Sequence, residues 1–346
     1  MEIGQLIGSY QIKSLISVGG MGSVYLAEHV LIGRKAAIKI LKKEFAADST
    51  LVGRFLNEAR ATNAIGHPGI VEILDFGTLY GELPYMVMEY LRGESLGQRL
   101  ARTPQLPLRE ALTIVLQTAA ALGAAHEKGI VHCDLKPDNL FLVPDPATPQ
   151  GERVKVLDFG IAKLRKELTP ESVKTLTWTL MGTPTYMSPE QCRGVRGEVD
   201  QRTDIYALGV ILYQALCGRP PFVGVGFGEI LMMHMSHPVP APSLFAPGIP
   251  AGVEHVLLRA LAKTREERFS SMNELRAALG DETVPASFAP PPAGAPGTST
   301  VVLPKPQQEP EMRTMLMPPV SPTRVYPPPR APATALWPFL VGGGGA

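Results

Sequence analysis

The chain is poor in several features that narrow a function quickly. Among its 346 residues are three cysteines, Cys133, Cys192 and Cys217. Their spacing is neither paired nor metal-like, which argues against a disulfide framework and suits a reducing compartment. Charge of either sign is not in excess: 33 Lys and Arg against 32 Asp and Glu leave a formal net charge of +1. That excludes the basic field expected of a nucleic-acid binder and an acidic solvating tail. Nowhere do 18 apolar residues run together, so no complete membrane-spanning helix is visible. Met1–Tyr10 lacks the basic-then-apolar layout of a secretory leader. No repeat of 20–50 residues marks a solenoid. What remains is an ordinary globular balance, 45% hydrophobic and 19% charged, sufficient for a sizeable buried core.

Proline sets the main boundary. Of 34 prolines, 16 fall from Pro285 onward, in a stretch with little charge and no long apolar period. Residues 281–346 are expected to be a disordered or polyproline-like tail, and residues 8–280 the globular part. The last segment, ALWPFLVGGGGA, is apolar but too short to span a bilayer. It reads either as a plain end or as the start of a membrane segment that continues beyond Ala346. Within the globular part the pattern changes near residue 92. YQIKSLISV, SVYLAEHV, KAAIKIL, VEILDFGTL and YMVMEYL have strand character. One helix interrupts them, with Phe55, Glu58, Ala59 and Thr62 at helical spacing and a stop before His67-Pro68. After residue 92 helices dominate: Arg109–Lys128 with Gly129 as its stop, Asp204–Cys217 and Val253–Ala262. The expected architecture is α+β, a small sheet-rich lobe (8–91) followed by a larger helical lobe (92–280).

Several short segments carry chemistry. Val18-Gly19-Gly20-Met21-Gly22-Ser23-Val24 lies between two strand-like runs, where glycines let backbone amides approach phosphate oxygens; by itself it is equally a hairpin turn. Ala37-Ile38-Lys39 puts a lysine in an apolar strand, and Glu58 sits on the next helix. Taken singly, both are ordinary surface charges; as a pair they would set an ammonium against phosphates. His132-Cys133-Asp134-Leu135-Lys136-Pro137-Asp138-Asn139 follows a helix and precedes the apolar run Leu140–Val143. A carboxylate and an amide five residues apart fit one short loop, with Asp134 placed to orient a hydroxyl and take its proton, Asn139 to hold a metal, and Lys136 near a transferring phosphate. Asp158-Phe159-Gly160 follows and adds a second metal carboxylate. A polar Asp/Asn turn is the competing reading of the octapeptide, and a weak one given its whole length.

Together these segments resemble the eukaryotic-type protein kinases over about residues 10–280. The resemblance implies that Lys39 contacts the α- and β-phosphates of ATP and pairs with Glu58. It implies Asp134 as catalytic base assisted by Lys136, and Asn139 and Asp158 as ligands of Mg²⁺, with Mn²⁺ as the alternative. It implies a nucleotide pocket formed by Val18, Gly19, Gly20, Gly22, Val24, Ala37, Met88, Glu89, Leu91 and Phe141, with Met88 as gatekeeper and Glu89-Tyr90-Leu91 as hinge. Ser188-Pro189-Glu190 stands where the family has A-P-E, with Glu190 pairing with Arg268. Asp204 would brace the catalytic loop. Lys136 and Gly182-Thr183-Pro184-Thr185-Tyr186 favour Ser/Thr over Tyr substrates. VGGMGSVYLAEH, HPGIVEILDFG and GTPTYMSPEQ are similar to bacterial members, many of which carry a Pro-rich juxtamembrane linker and one membrane helix. A cytoplasmic kinase domain, membrane-anchored only if the chain continues, is the corresponding expectation.

Three positions depart from the pattern. Ser17 replaces the first loop glycine, Thr264 replaces a proline common ahead of Arg268, and Cys133 replaces the arginine that usually precedes the base. Pro144–Arg153 reads as a surface loop longer than usual. Expected partners are proteins bearing Ser or Thr, with a dimer as one route of control, and no nucleic acid. Thr300-Val301-Val302-Leu303-Pro304 and Thr314-Met315-Leu316-Met317-Pro318 are similar elements that read either as sites for a phosphothreonine-reading partner or as chance in a low-complexity tail. A pseudokinase that keeps the fold without turnover is the competing functional class.

Overall fold

Alternating apolar residues in the first ninety positions build an antiparallel sheet. The computed structural model describes residues 1–159, 184–194 and 197–281. Strands β1 (Leu6–Ile7), β2 (Tyr10–Val18), β3 (Gly22–His29) and β4 (Lys35–Leu41) are followed by a short helix α1 (Lys43–Ala46) and the longer α2 (Ser49–Ile65). Strands β5 (Ile73–Leu79) and β6 (Leu83–Glu89) complete the sheet, whose order is β1-β2-β3-β4-β6-β5. Asp48 caps α2 by accepting from the Thr50 and Leu51 amides, and Gly66, at φ 66°, ends it. One sheet face packs Ile7, Ile12, Ala27, Ala36, Ile38, Ile40, Leu79 and Val87. On the opposite face Leu41 and Met86 meet Phe55 and Ala59 of α2. Strand period 2 therefore assigns Lys39, two residues from Leu41, to the face that α2 covers.

The larger lobe is helical around a small sheet. In chain order it contains β7 (Glu94–Ser95), α3 (Leu96–Arg102), α4 (Leu108–Glu127), β8 (Leu140–Pro144), β9 (Glu152–Val156), α5 (Pro189–Arg193), α6 (Gln201–Cys217), α7 (Phe227–Ser236), α8 (Ala251–Ala260) and α9 (Met272–Asp281). Helix α6 is buried nearly all round, from Thr203 to Tyr213, as its unbroken apolar sequence requires. Val115, Leu122, Leu208, Leu212, Val256, Leu257, Leu275 and Leu279 share one core that joins α4, α6, α8 and α9.

Two expectations change in detail. The loop expected over 144–153 is shorter, because Pro144 pairs with Glu152 and Val143 with Arg153 in the β8–β9 ladder. The helix expected over Asp204–Cys217 starts three residues earlier, at Gln201, so Asp204 lies in its first turn. The pairs β1 and β7, each two residues long, and the helices α1 and α3 carry too little periodicity to stand out in sequence. Among the described residues no helix is long and apolar enough to cross a membrane. Gly160, Lys163, Arg165, Thr175, Thr177, Thr179, Gly182, Thr183 and the tail from 282 lie outside the described residues.

Candidate functional site

The site begins at the β2–β3 hairpin. Gly19 N–H donates to Gly22 C=O at 2.8 Å, closing the turn. A Cβ on Gly22 would lie 2.4 Å from the Ile40 carbonyl oxygen, so the approach of β4 requires glycine there. Gly20 has open space around it, and Val18 is exposed at the rim of the turn. Ser17 stays in the strand opposite Val24, so the hairpin accommodates it. Val24 faces Lys39, and Ala37 faces Met88. Directly opposed residues share a face, which gathers Val24, Ala37, Lys39 and Met88 on one side of the sheet.

Lys39 is 9% exposed. Its Nζ lies 2.7 Å from Asp158 Oδ1 and 3.5 Å from Glu58 Oε1 on α2. Burial by itself would lower its pKa, but the Asp158 charge and then that of Glu58 outweigh this and hold the ammonium protonated. Asp158 is likewise opposed by burial but held below the ordinary carboxylate range by Lys39. Glu58 differs. Desolvation dominates the attraction of Lys39 and pushes its pKa up to about 7. Its Oε2 is buried without a hydrogen-bond partner among the described residues. Geometry explains the contrast, since Lys39 is nearer to Asp158 than to Glu58.

Glu89 ends β6, and Tyr90-Leu91 follow it. Glu89 N–H donates to Glu72 C=O, and the Glu89 carboxylate accepts from Glu72 N–H while pairing with Lys155 of β9. Leu91 N–H has no hydrogen-bond partner among the described residues. Phe141 stands on β8 opposite Lys155, hence on the face of the small sheet that meets Glu89. Lys155 has no sequence signal; only the tertiary pairing reveals it.

The loop after α4 is held by one buried carboxylate. Asp204, wholly buried, accepts from the amides of His132 and Cys133, each at 2.8 Å, and from His126 Nε2 at 2.8 Å. Burial alone would raise its pKa, but the bond from His126, its charge and the loop amide keep it low. Below it, His132 Nδ1 accepts from Asp134 N–H at 3.2 Å, and His132 Nε2 donates to Leu157 C=O at 2.9 Å. The Asp134 side chain is half-exposed, with Lys136 Nζ 3.0 Å from its Oδ2. Asn139 donates its amide NH₂ to Asp134 C=O at 2.9 Å, so its amide oxygen is the end able to ligate. Phe159 is fully buried, 4.9 Å from the His132 ring. Cys133 and Asp158 both adopt positive φ, 60° and 54°, which non-glycine residues enter only when surroundings impose it. His126 and Gln191, whose Nε2 donates to Cys133 C=O at 2.7 Å, are further loop-holding residues with no role assigned from sequence. At the far side, Glu190 and Arg268 are joined as expected.

A lysine, two carboxylates, an amide and a half-exposed aspartate thus converge below a glycine turn, between two lobes. The model of the protein kinase domain matches residues 10–277. The chain belongs to the protein kinase domain family. Among curated relatives, serine/threonine-protein kinase Pkn1 of Myxococcus xanthus is 46% identical over 277 residues, 80% of this chain and 38% of that protein. PrkC of Bacillus subtilis is 38% identical, covering 80% of this chain and 41% of its own length. PknA of Mycobacterium tuberculosis is 39% identical, covering 77% and 59%. The chain therefore spans about two fifths to three fifths of these relatives. The crystal structure of the PknI kinase domain of M. tuberculosis superposes with a TM-score of 0.62 at 30% identity, covering 82% of this chain and all of that one. This kinase fold has the expected sheet-rich and helical lobes.

Proposed function

We propose that this chain is an active protein kinase that transfers the γ-phosphate of ATP to Ser and Thr hydroxyls of proteins. The observation that carries this reading is the joint placement of Lys39, Glu58, Asp134, Asn139 and Asp158, with Asp134 half-exposed and the others anchored. Asp134 accepts the hydroxyl proton as the oxygen attacks, and Lys136 stands beside it to offset charge. Lys39 serves the phosphates once nucleotide competes for its ammonium. Leu91 N–H and the Glu89 backbone serve the adenine edge, above Phe141 and below Ala37, with Met88 behind.

The oxygen donors of Asn139 and Asp158 suit a hard cation such as Mg²⁺. These are two oxygen ligands of the six an octahedral Mg²⁺ takes, so phosphate oxygens and water would complete its shell. When bound, it neutralises phosphate charge and orients the γ-phosphoryl group. The catalytic unit corresponds to residues 8–280, and Thr300 and Thr314, in the remaining 281–346, would be offered to a phosphothreonine-reading partner.

The experiment is transfer of label from γ-labelled ATP to a generic basic protein. Transfer should require Mg²⁺ or Mn²⁺ and stop in excess EDTA. Asp134→Asn should lower turnover by orders of magnitude with ATP affinity little changed. Nucleotide binding without transfer by the wild type would instead mark a pseudokinase.

A further inference from the structure

The peptide group between Cys133 and Asp134 launches the side chain proposed as base, and both its polar ends are tied. Its N–H, from Asp134, donates to His132 Nδ1 at 3.2 Å. Its carbonyl, from Cys133, accepts from Gln191 Nε2 at 2.7 Å. Cys133 also sits at φ 60°, a conformation that a non-glycine residue adopts only when its surroundings impose it. Its own N–H is held by Asp204.

The orientation of the Gln191 amide follows from chemistry. Oε1 accepts from Ser188 N–H at 3.0 Å, closing the capping box that starts α5. The opposite end must then be the NH₂ group, and it meets a carbonyl. Gln191 therefore serves two elements: it closes the first turn of α5 and grips the loop that bears Asp134. Its neighbour Glu190 is fixed by two bonds to buried Arg268, so the grip comes from an immobile support. The contacts of this clamp are made to the Cys133 backbone.

We infer that Gln191 is a positioning residue for Asp134. It fixes the 133–134 peptide plane through contacts to the loop backbone. This inference rests on the reading of Asp134 as the base.

Gln191→Glu separates the two jobs. A glutamate at this position still completes a capping box and still accepts from Ser188, but once ionised it has no donor for the Cys133 carbonyl. At pH 8, kcat should fall about 10-fold or more, as expected for a misplaced reacting group. ATP affinity, read with a fluorescent nucleotide, should stay within about twofold. As pH falls, the introduced carboxyl gains a proton and can donate again, so the ratio of wild-type to variant kcat should shrink. Gln191→Ala should lose kcat with no such narrowing. A Gln191→Glu enzyme with kcat within about twofold of wild type at pH 8 overturns the inference, as does a loss shared equally by kcat and ATP affinity.

A second readout needs no turnover. Amide hydrogen exchange over His132–Asp134 should accelerate in Gln191→Glu while that of α6 is unchanged. Unchanged exchange at the loop overturns the clamp. Absence of transfer by wild-type protein would overturn the kinase reading instead, and exchange would still judge the clamp.

Discussion

Arg268 grips Glu190 through two parallel hydrogen bonds, Nη1 to Oε1 and Nη2 to Oε2, each 2.8 Å, with both side chains buried. Thr203 Oγ1 donates to the same carboxylate at 2.8 Å, and the Arg268 guanidinium lies 4.9 Å from the Tyr206 ring centroid. Removing one member of such a pair leaves a buried charge without compensation. Arg268→Ala should therefore destabilise the fold by about 3–5 kcal/mol, well above the cost of losing an exposed ion pair. Urea unfolding measures it, and a loss under about 1 kcal/mol would show the pair to be replaceable. Burial pushes the Glu190 pKa up, but the bonds from Arg268 outweigh it and hold it below the ordinary value. The stability it contributes is thus present at neutral pH and lost as pH falls through that depressed pKa.

Glu58 should behave in the opposite sense. Its pKa is raised to about 7 because burial outweighs Lys39, which favours Asp158. The folded state then binds more protons than the unfolded chain between the ordinary glutamate range and about 7. Its contribution to stability is full below that range and declines as pH rises through about 7. Glu58→Gln removes this titration. Relative to wild type, the variant should gain stability between pH 5 and pH 8, while its catalytic efficiency falls about 10-fold or more for want of the charge that orders Lys39. Thermal unfolding across that range and initial-rate kinetics check both halves. A stability difference independent of pH would contradict the assignment.

Local pattern was sufficient for the central strands. Tyr10–Val18 and Lys35–Leu41 have the boundaries their alternation and flanking glycines indicate. Long amphipathic helices were equally legible: the stop of α4 is Gly129, at φ 70°, and that of α2 is Gly66. Two-residue strands such as Leu6–Ile7 hold too few side chains to show a period. The β8–β9 connection misled because Glu152 and Arg153 look like loop residues. In the fold they are strand residues whose charges meet Arg99 and Asp145. Lys39, Glu58, Asp134, Asn139 and Asp158 were legible from motif spacing. Lys155, His126 and Gln191 were not, because each acts on a partner distant in sequence: Glu89, Asp204 and the Cys133 carbonyl.

The C-terminal limit of the folded unit can be placed by truncation. Met272, Leu275 and Leu279 of α9 are buried in the main core. A chain ending at Asp281 should keep the stability of the full chain and phosphorylate a generic substrate. One ending at Ser271 forfeits three buried apolar side chains and should lose more than about 5 kcal/mol, which most single domains cannot tolerate. A clear fall in melting temperature for the chain ending at Asp281 would show that the tail packs on the catalytic unit.

The last prediction concerns the segment between Asp158 and Glu190, most of which lies outside the described residues. Thr175, Thr177 and Thr179 precede Gly182-Thr183, where the family resemblance places autophosphorylation sites, and mass spectrometry after incubation with ATP should find phosphate on at least one. That phosphate should matter little to the rate. In the family pattern the arginine before the base pairs with it, a charge-assisted contact that orders the loop. Cys133 has no cationic head and a thiol that donates weakly. The loop instead has its backbone held on three sides, by Asp204, His132 and Gln191. Each of these contacts is made by groups within the described residues, and Cys133 adds no arginine charge beside the base. Replacing Thr175, Thr177 and Thr179 together with Ala should therefore leave the initial rate on an outside substrate within a few-fold of wild type. A loss of about 100-fold, roughly 2.7 kcal/mol of barrier, would mean that another basic residue, such as Lys163 or Arg165, receives the phosphate and that the loop depends on it.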